Sequence, residues 1–127
     1  MISKYIFPIT ASFGAIAVIL GAFGAHGLEG KLSVDQLNSY DTAVKYQMFH
    51  VLALLAVGIL MKMGPSSQLN YSAWFFIAGI ILFSGSIYLL SCADILGITN
   101  KSFLGPITPV GGLCFILGWV FLAISKF

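Results

Sequence analysis

The chain has 127 residues, 59% of them hydrophobic and only 8% charged, with a net charge of +2 and a mean hydropathy of +1.02. A soluble domain carries about 25% charged residues, so this chain has too little polar surface to face water all round. Its basic residues are six dispersed lysines with no arginine, which excludes the concentrated basic footprint that nucleic-acid binding needs. Four apolar runs of membrane-spanning length predict an all-α integral membrane protein, one domain over residues 1–127. The expected fold is a four-transmembrane-helix bundle with a short amphipathic interfacial helix between spans 1 and 2.

The first span is expected from Tyr5 to Ala25, about 20 residues and therefore about 30 Å of helix. Lys4 before the apolar run and the small residues Ala22, Gly24 and Ala25 give it some look of a signal peptide. The run is too long for an h-region of about 7–15 residues, which favours a retained helix. Pro8 sits in the first turn, where a missing N–H costs little. Ala11, Gly14, Ala15, Ala17, Gly21, Ala22, Gly24 and Ala25 make the span rich in small residues, which predicts the central, most contacted helix. Gly21-Ala-Phe-Gly-Ala-His-Gly-Leu28 closes it, with Gly24 and Gly27 as candidates for its end or for close packing, and His26 where the helix leaves the membrane.

Ser33-Val-Asp-Gln36 has the form of a capping box. Val34, Leu37, Tyr40 and Val44 recur at helical spacing with Asp35, Asn38 and Asp41 between them, the pattern of the interfacial helix. The second span is expected from Ala43 to Met61, where Thr42, Tyr46 and His50, four apart, share one face. Lys62, Gly64 and Pro65 stop it. A third span from Tyr71 to Cys92 carries Tyr71 and Trp74 as headgroup anchors and a polar stripe of Ser84, Tyr88 and Ser91. After a loop from Ala93 to Thr108, Pro106 and Pro109 favour a bent or helix-starting turn into the last span, Pro109 to Ser125. Gly111, Cys114 and Gly118 form a small-residue seam on that span.

An even number of crossings puts both termini on one side. His26, Glu29, Tyr46, His50, Tyr88, Ser91, Cys92, Asp94 and Thr108 are then expected in the opposite half, together with every acidic residue. Lys4, Lys62 and Lys126 lie tight against span ends beside the termini, against Lys31, Lys45 and Lys101 opposite, which favours cytoplasmic termini. A multi-pass protein of this kind belongs in the inner or plasma membrane if the source is bacterial. Cys92 and Cys114 show no metal-type spacing and read as buried free thiols.

Gly21-Ala-Phe-Gly-Ala-His-Gly-Leu28, Tyr46-Gln-Met-Phe-His50, Phe83-Ser-Gly-Ser-Ile-Tyr88 and Gly105-Pro-Ile-Thr-Pro-Val-Gly-Gly112 with Gly118-Trp119 occur in that order. In them the chain resembles, over essentially its whole length, the small membrane proteins of domain of unknown function 423, a family similar to vertebrate transmembrane protein 256. The resemblance implies four membrane helices and no established activity or cofactor. It marks His26, Tyr46, His50, Ser84, Ser86, Tyr88, Pro106, Pro109, Gly111 and Gly112 as motif positions.

An imidazole inside a span is costly, which makes His50 the default functional hypothesis. Against it stands a neutral His50 that fixes packing through an interhelical bond, for example to Tyr88 or Ser84, a type of bond that averages only about 0.6 kcal/mol. A metal site would have to join His26 and His50 to Asp94 or Cys92. A proton or solute pathway would run through His26, Tyr46 and His50 in an oligomer, since four helices barely enclose a pore. Nucleophilic catalysis by Ser84 or Ser91 lacks an oriented base.

The expectation is therefore a non-enzymatic membrane protein without a cofactor. Its polar end, with His26, Tyr46, His50, Ser84, Ser86, Tyr88 and Asp94, serves packing or engages another membrane component. Gly21, Gly24, Gly27, Pro106, Pro109, Gly111, Gly112 and Gly118 supply its turns and close contacts. The bilayer is the expected partner, with a homo-oligomer or another membrane protein beside it.

Overall fold

A computed structural model describes residues 1–126, and its regular elements are helical. A 3₁₀ turn at Ile2–Lys4 leads into α1 (Ile6–His26), and α2 (Val34–Met63) follows. Next come α3 (Ser67–Gly79), a π turn (Ile80–Ser84) and α4 (Gly85–Ser91), which run on as one rod. The one-turn α5 (Ala93–Leu96) lies in the loop before α6 (Ile107–Ala123). Three of these runs, Ile6–His26, Val34–Met63 and Ser67–Ser91, are long and apolar enough to cross a membrane, and α6 is a shorter apolar helix of 17 residues.

No separate interfacial helix stands between the first two spans. The amphipathic stretch from Val34 is instead the first turns of α2, which continues unbroken for 30 residues. Its N-terminus is capped as the sequence predicts: the Gln36 N–H donates to Ser33 Oγ at 3.2 Å, and the Ser33 N–H donates to Gln36 Oε1 at 2.9 Å. Nothing beyond that cap breaks the helix, because α2 contains no proline and its one glycine, Gly58, lies near the far end. Lys45 pairs with Asp41 at 2.7 Å, one turn apart, across the point where the polar turns give way to apolar ones.

The central helix is α2, not α1. Neighbours run α1 to α2, α2 to α3 and α4, and α3 to α6. Only Ile6, Thr10 and Ala17 of α1 are buried. Its small residues encircle the helix, so close approach uses only half of them: Gly14, Gly21 and Gly24 meet Val51, Val44 and the Tyr40 ring, while Ala11, Ala15, Ala22 and Ala25 face outward. Gly14 opposite Val51, Gly21 opposite Val44 and Ile6 opposite Gly58 define an antiparallel register. Gly27 is the C-cap of α1, whereas Gly24 is packed inside it.

The α3–α6 seam is also antiparallel. Gly111 sits on the backbone of Phe83, Gly118 on the Phe76 ring, and Gly79 under the Phe115 ring. Pro106, with φ −67°, is the N-cap of α6, and Pro109 follows in its first turn, where no intrahelical N–H is required. The main core gathers Ile6, Leu54, Val57, Leu69, Phe76 and Phe115, and a smaller cluster of Leu28, Leu32 and Tyr40 closes the loop end.

Candidate functional site

His50 lies on the inner face of α2 with 6% of its surface exposed. Its Nδ1 is 2.7 Å from the Tyr46 carbonyl, which can only accept, so Nδ1 carries the proton. Its Nε2 is 3.2 Å from Trp119 Nε1, an indole that can only donate, so Nε2 accepts. The ring is therefore a neutral imidazole with both nitrogens engaged. It stacks on Phe115 with centroids 3.6 Å apart and planes 9° from parallel. Its partners are thus Trp119 and the backbone of its own helix, in place of the Tyr88 or Ser84 side chains.

Tyr46 offers His50 a carbonyl while its ring packs on Phe83 at 4.9 Å. Beside this pair an open groove of about 570 Å³ is lined by Tyr46, His50, Phe83, Leu113, Ile116 and Trp119, among others. His26 does not share it. The α1–α2 register sets His50 level with residue 15, eleven residues or about 16 Å along α1 from the exposed His26. Among the described residues no three of His, Cys, Asp and Glu converge as a metal site would require. Cys92 and Cys114 are free and half-buried.

The most connected residue that sequence reasoning missed is Gln47. It is 2% exposed and joins three elements: its Nε2 donates to the Phe13 carbonyl of α1 at 2.9 Å, and its Oε1 accepts from the Tyr88 hydroxyl of α4 at 2.7 Å. A buried amide in an apolar run was the available signal, since it must find partners within the protein. Gln47→Ala is expected to destabilise by about 2 kcal/mol, because it orphans the Tyr88 hydroxyl and leaves a void. A double-mutant cycle with Tyr88→Phe in detergent unfolding checks it, with a coupling of about 0.6 kcal/mol or more. Additive effects would dissolve the link.

Ser84 and Ser86, both expected from the sequence, also join helices, as does Ser72, which was not among the expected residues. Ser84 Oγ donates to the Ala43 carbonyl at 2.8 Å, Ser86 Oγ lies 2.6 Å from Thr108 Oγ1, and Ser72 Oγ donates to the Gly118 carbonyl at 2.8 Å. Ser84 is the last residue of the π turn and faces α2. Asp94 belongs to a different place, the loop end. It accepts from Lys101 Nζ at 2.9 Å and from Gln36 Nε2 at 3.2 Å, and these bonds, that from Lys101 first, hold its carboxyl below the ordinary value of 3.8.

No known solved structure matches this chain. The family model described as protein of unknown function (DUF423) matches residues 20–112. A UPF0382 membrane protein of Staphylococcus aureus is 46% identical over 123 residues, covering 96% of this chain and 95% of the relative. UPF0382 membrane protein YwdK of Bacillus subtilis is 43% identical over 122 residues, covering 94% of each chain. With long apolar helices and matches that run nearly end to end, the chain belongs to the DUF423 (UPF0382) family of membrane proteins.

Proposed function

We propose that the protein crosses the bilayer four times, with α6 as the fourth span and both termini on the cytoplasmic side. In this reading it is a non-enzymatic membrane component whose loop end engages a partner in or on the membrane. Polar residues from Asp35 to Lys45 set the first turns of α2 in the headgroup layer. From Lys45 to Met63 the helix then rises about 27 Å, close to the hydrocarbon thickness of about 30 Å. Seventeen residues of α6 are at the short end of what a span needs.

The observation that carries the non-transporting, non-catalytic reading is the state of His50. Its two nitrogens are occupied by a carbonyl and an indole N–H, neither of which relays a proton. The remaining inward polar side chains end mostly on backbone carbonyls of neighbouring helices, which suits fixed packing.

Reconstitution into liposomes tests this. Well-folded protein is expected to carry no proton or solute flux above that of protein-free vesicles under a pH gradient. A flux that disappears in His50→Ala would refute the reading and make the imidazole a pathway residue.

A further inference from the structure

A second groove, of about 580 Å³, opens at the loop end between the first turns of α2, the end of α4 and the start of α6. Asp35, Ser39 and Thr42 form one wall, at spacings that put them on one face of α2, and all three are exposed. Ile87, Leu90 and Pro109 form the apolar side. Ser91 lines it from within, only 4% exposed, and its hydroxyl is the one buried side-chain polar atom without a hydrogen-bond partner among the described residues. Every other hydroxyl buried beside it is paired, Ser84 to Ala43 and Ser86 to Thr108. An orphaned buried hydroxyl is a standing cost unless something in the groove bonds it.

The charge lining the groove is the Asp35 carboxylate, and no lysine lines it. Of the lysines at this end, Lys45 pairs with Asp41 and Lys101 with Asp94, and Lys31, in the loop before α2, is exposed and does not line the groove. An anionic headgroup would meet the Asp35 carboxylate and no cation among the residues that line the groove. A quaternary ammonium would bring charge but no N–H for the carboxylate to accept. A primary ammonium brings both, and the apolar side suits an acyl chain.

We propose that this groove holds a bilayer lipid with a primary-ammonium headgroup. The ammonium donates to Asp35, a headgroup oxygen accepts from Ser91 Oγ, and a chain lies along Ile87, Leu90 and Pro109. The proposal rests on the reading above for the depth of the loop end in the headgroup layer. Solute flux in liposomes would refute that reading and leave this one standing; failure of lipid selectivity would do the reverse.

The test uses the full-length protein, delipidated in micelles, with phosphatidylethanolamine, phosphatidylcholine, phosphatidylglycerol or octylamine added. Retained lipid is read by native mass spectrometry and stability by thermal melting. Phosphatidylethanolamine is expected to be retained roughly tenfold over the other two lipids, equivalent to about 1.4 kcal/mol. Asp35→Asn is expected to abolish that preference. Ser91→Ala is expected to melt no lower than wild type without lipid, since it deletes an unsatisfied group, yet to lose most of the increment that phosphatidylethanolamine confers. Equal retention of the three lipids, a preference that survives both substitutions, or the same increment from octylamine alone would each overturn the proposal.

Discussion

Gly111→Ala is expected to lower the unfolding free energy by about 3 kcal/mol, whereas Gly112→Ala, one residue on, is expected to change it by less than about 0.5 kcal/mol. Both glycines are motif positions, but only Gly111 falls in the small-residue seam expected on the last span. A methyl on Gly111 would stand 2.7 Å from the Phe83 Cα and 2.8 Å from the Leu82 carbonyl carbon, and backbone atoms cannot rotate aside. On Gly112 its nearest neighbour would be a Phe83 ring carbon at 3.8 Å, an ordinary contact. The larger change therefore has to separate α6 from the rod of α3 and α4, taking the Ser72–Gly118 and Ser86–Thr108 bonds with it. Unfolding titrations of both variants in mixed micelles decide the matter. Equal stabilities would mean that the helices do not meet at Gly111.

His50→Ala should cost about 3 kcal/mol, by loss of the stack on Phe115, a void in a packed interior and an indole N–H left without an acceptor. The Tyr46 carbonyl loses least, because it also serves as an ordinary helix acceptor. His50→Phe separates the contributions: it keeps an aromatic ring against Phe115 at 3.6 Å centroid spacing but cannot accept from Trp119, and should cost about half as much. Trp119→Phe should then make the two His50 variants more alike, since the donor is gone. Measured unfolding free energies that rank His50→Ala equal to wild type would sink the assignment of His50 as a packing residue. Such a result would return the imidazole to candidate function.

The agreement between sequence and structure is greatest for features that depend on a few consecutive residues. Ser33 and Gln36 form their box, Gly27 caps α1, Pro106 and Pro109 start α6, and three of the four apolar runs become long helices. Continuity of α2 was also decidable in principle, since its 30 residues hold no proline and one glycine. The interfacial helix was expected from a change in polarity, but polarity marks where a helix leaves the hydrocarbon and does not end the helix. Prolines, glycines and caps do that.

What the tertiary structure alone decided is which side of each helix faces inward and who meets whom. Trp119 lies 69 residues from His50, and Gln47 joins Phe13 to Tyr88 across 34 and 41 residues. Small residues around α1 suggested a central helix, yet only those facing α2 are used. In a water-soluble bundle hydropathy would have marked the inner faces. Within a bilayer the surroundings are as apolar as the core, so the same leucines and phenylalanines suit either side, and azimuth is settled by where backbones can touch and buried polar groups can find partners.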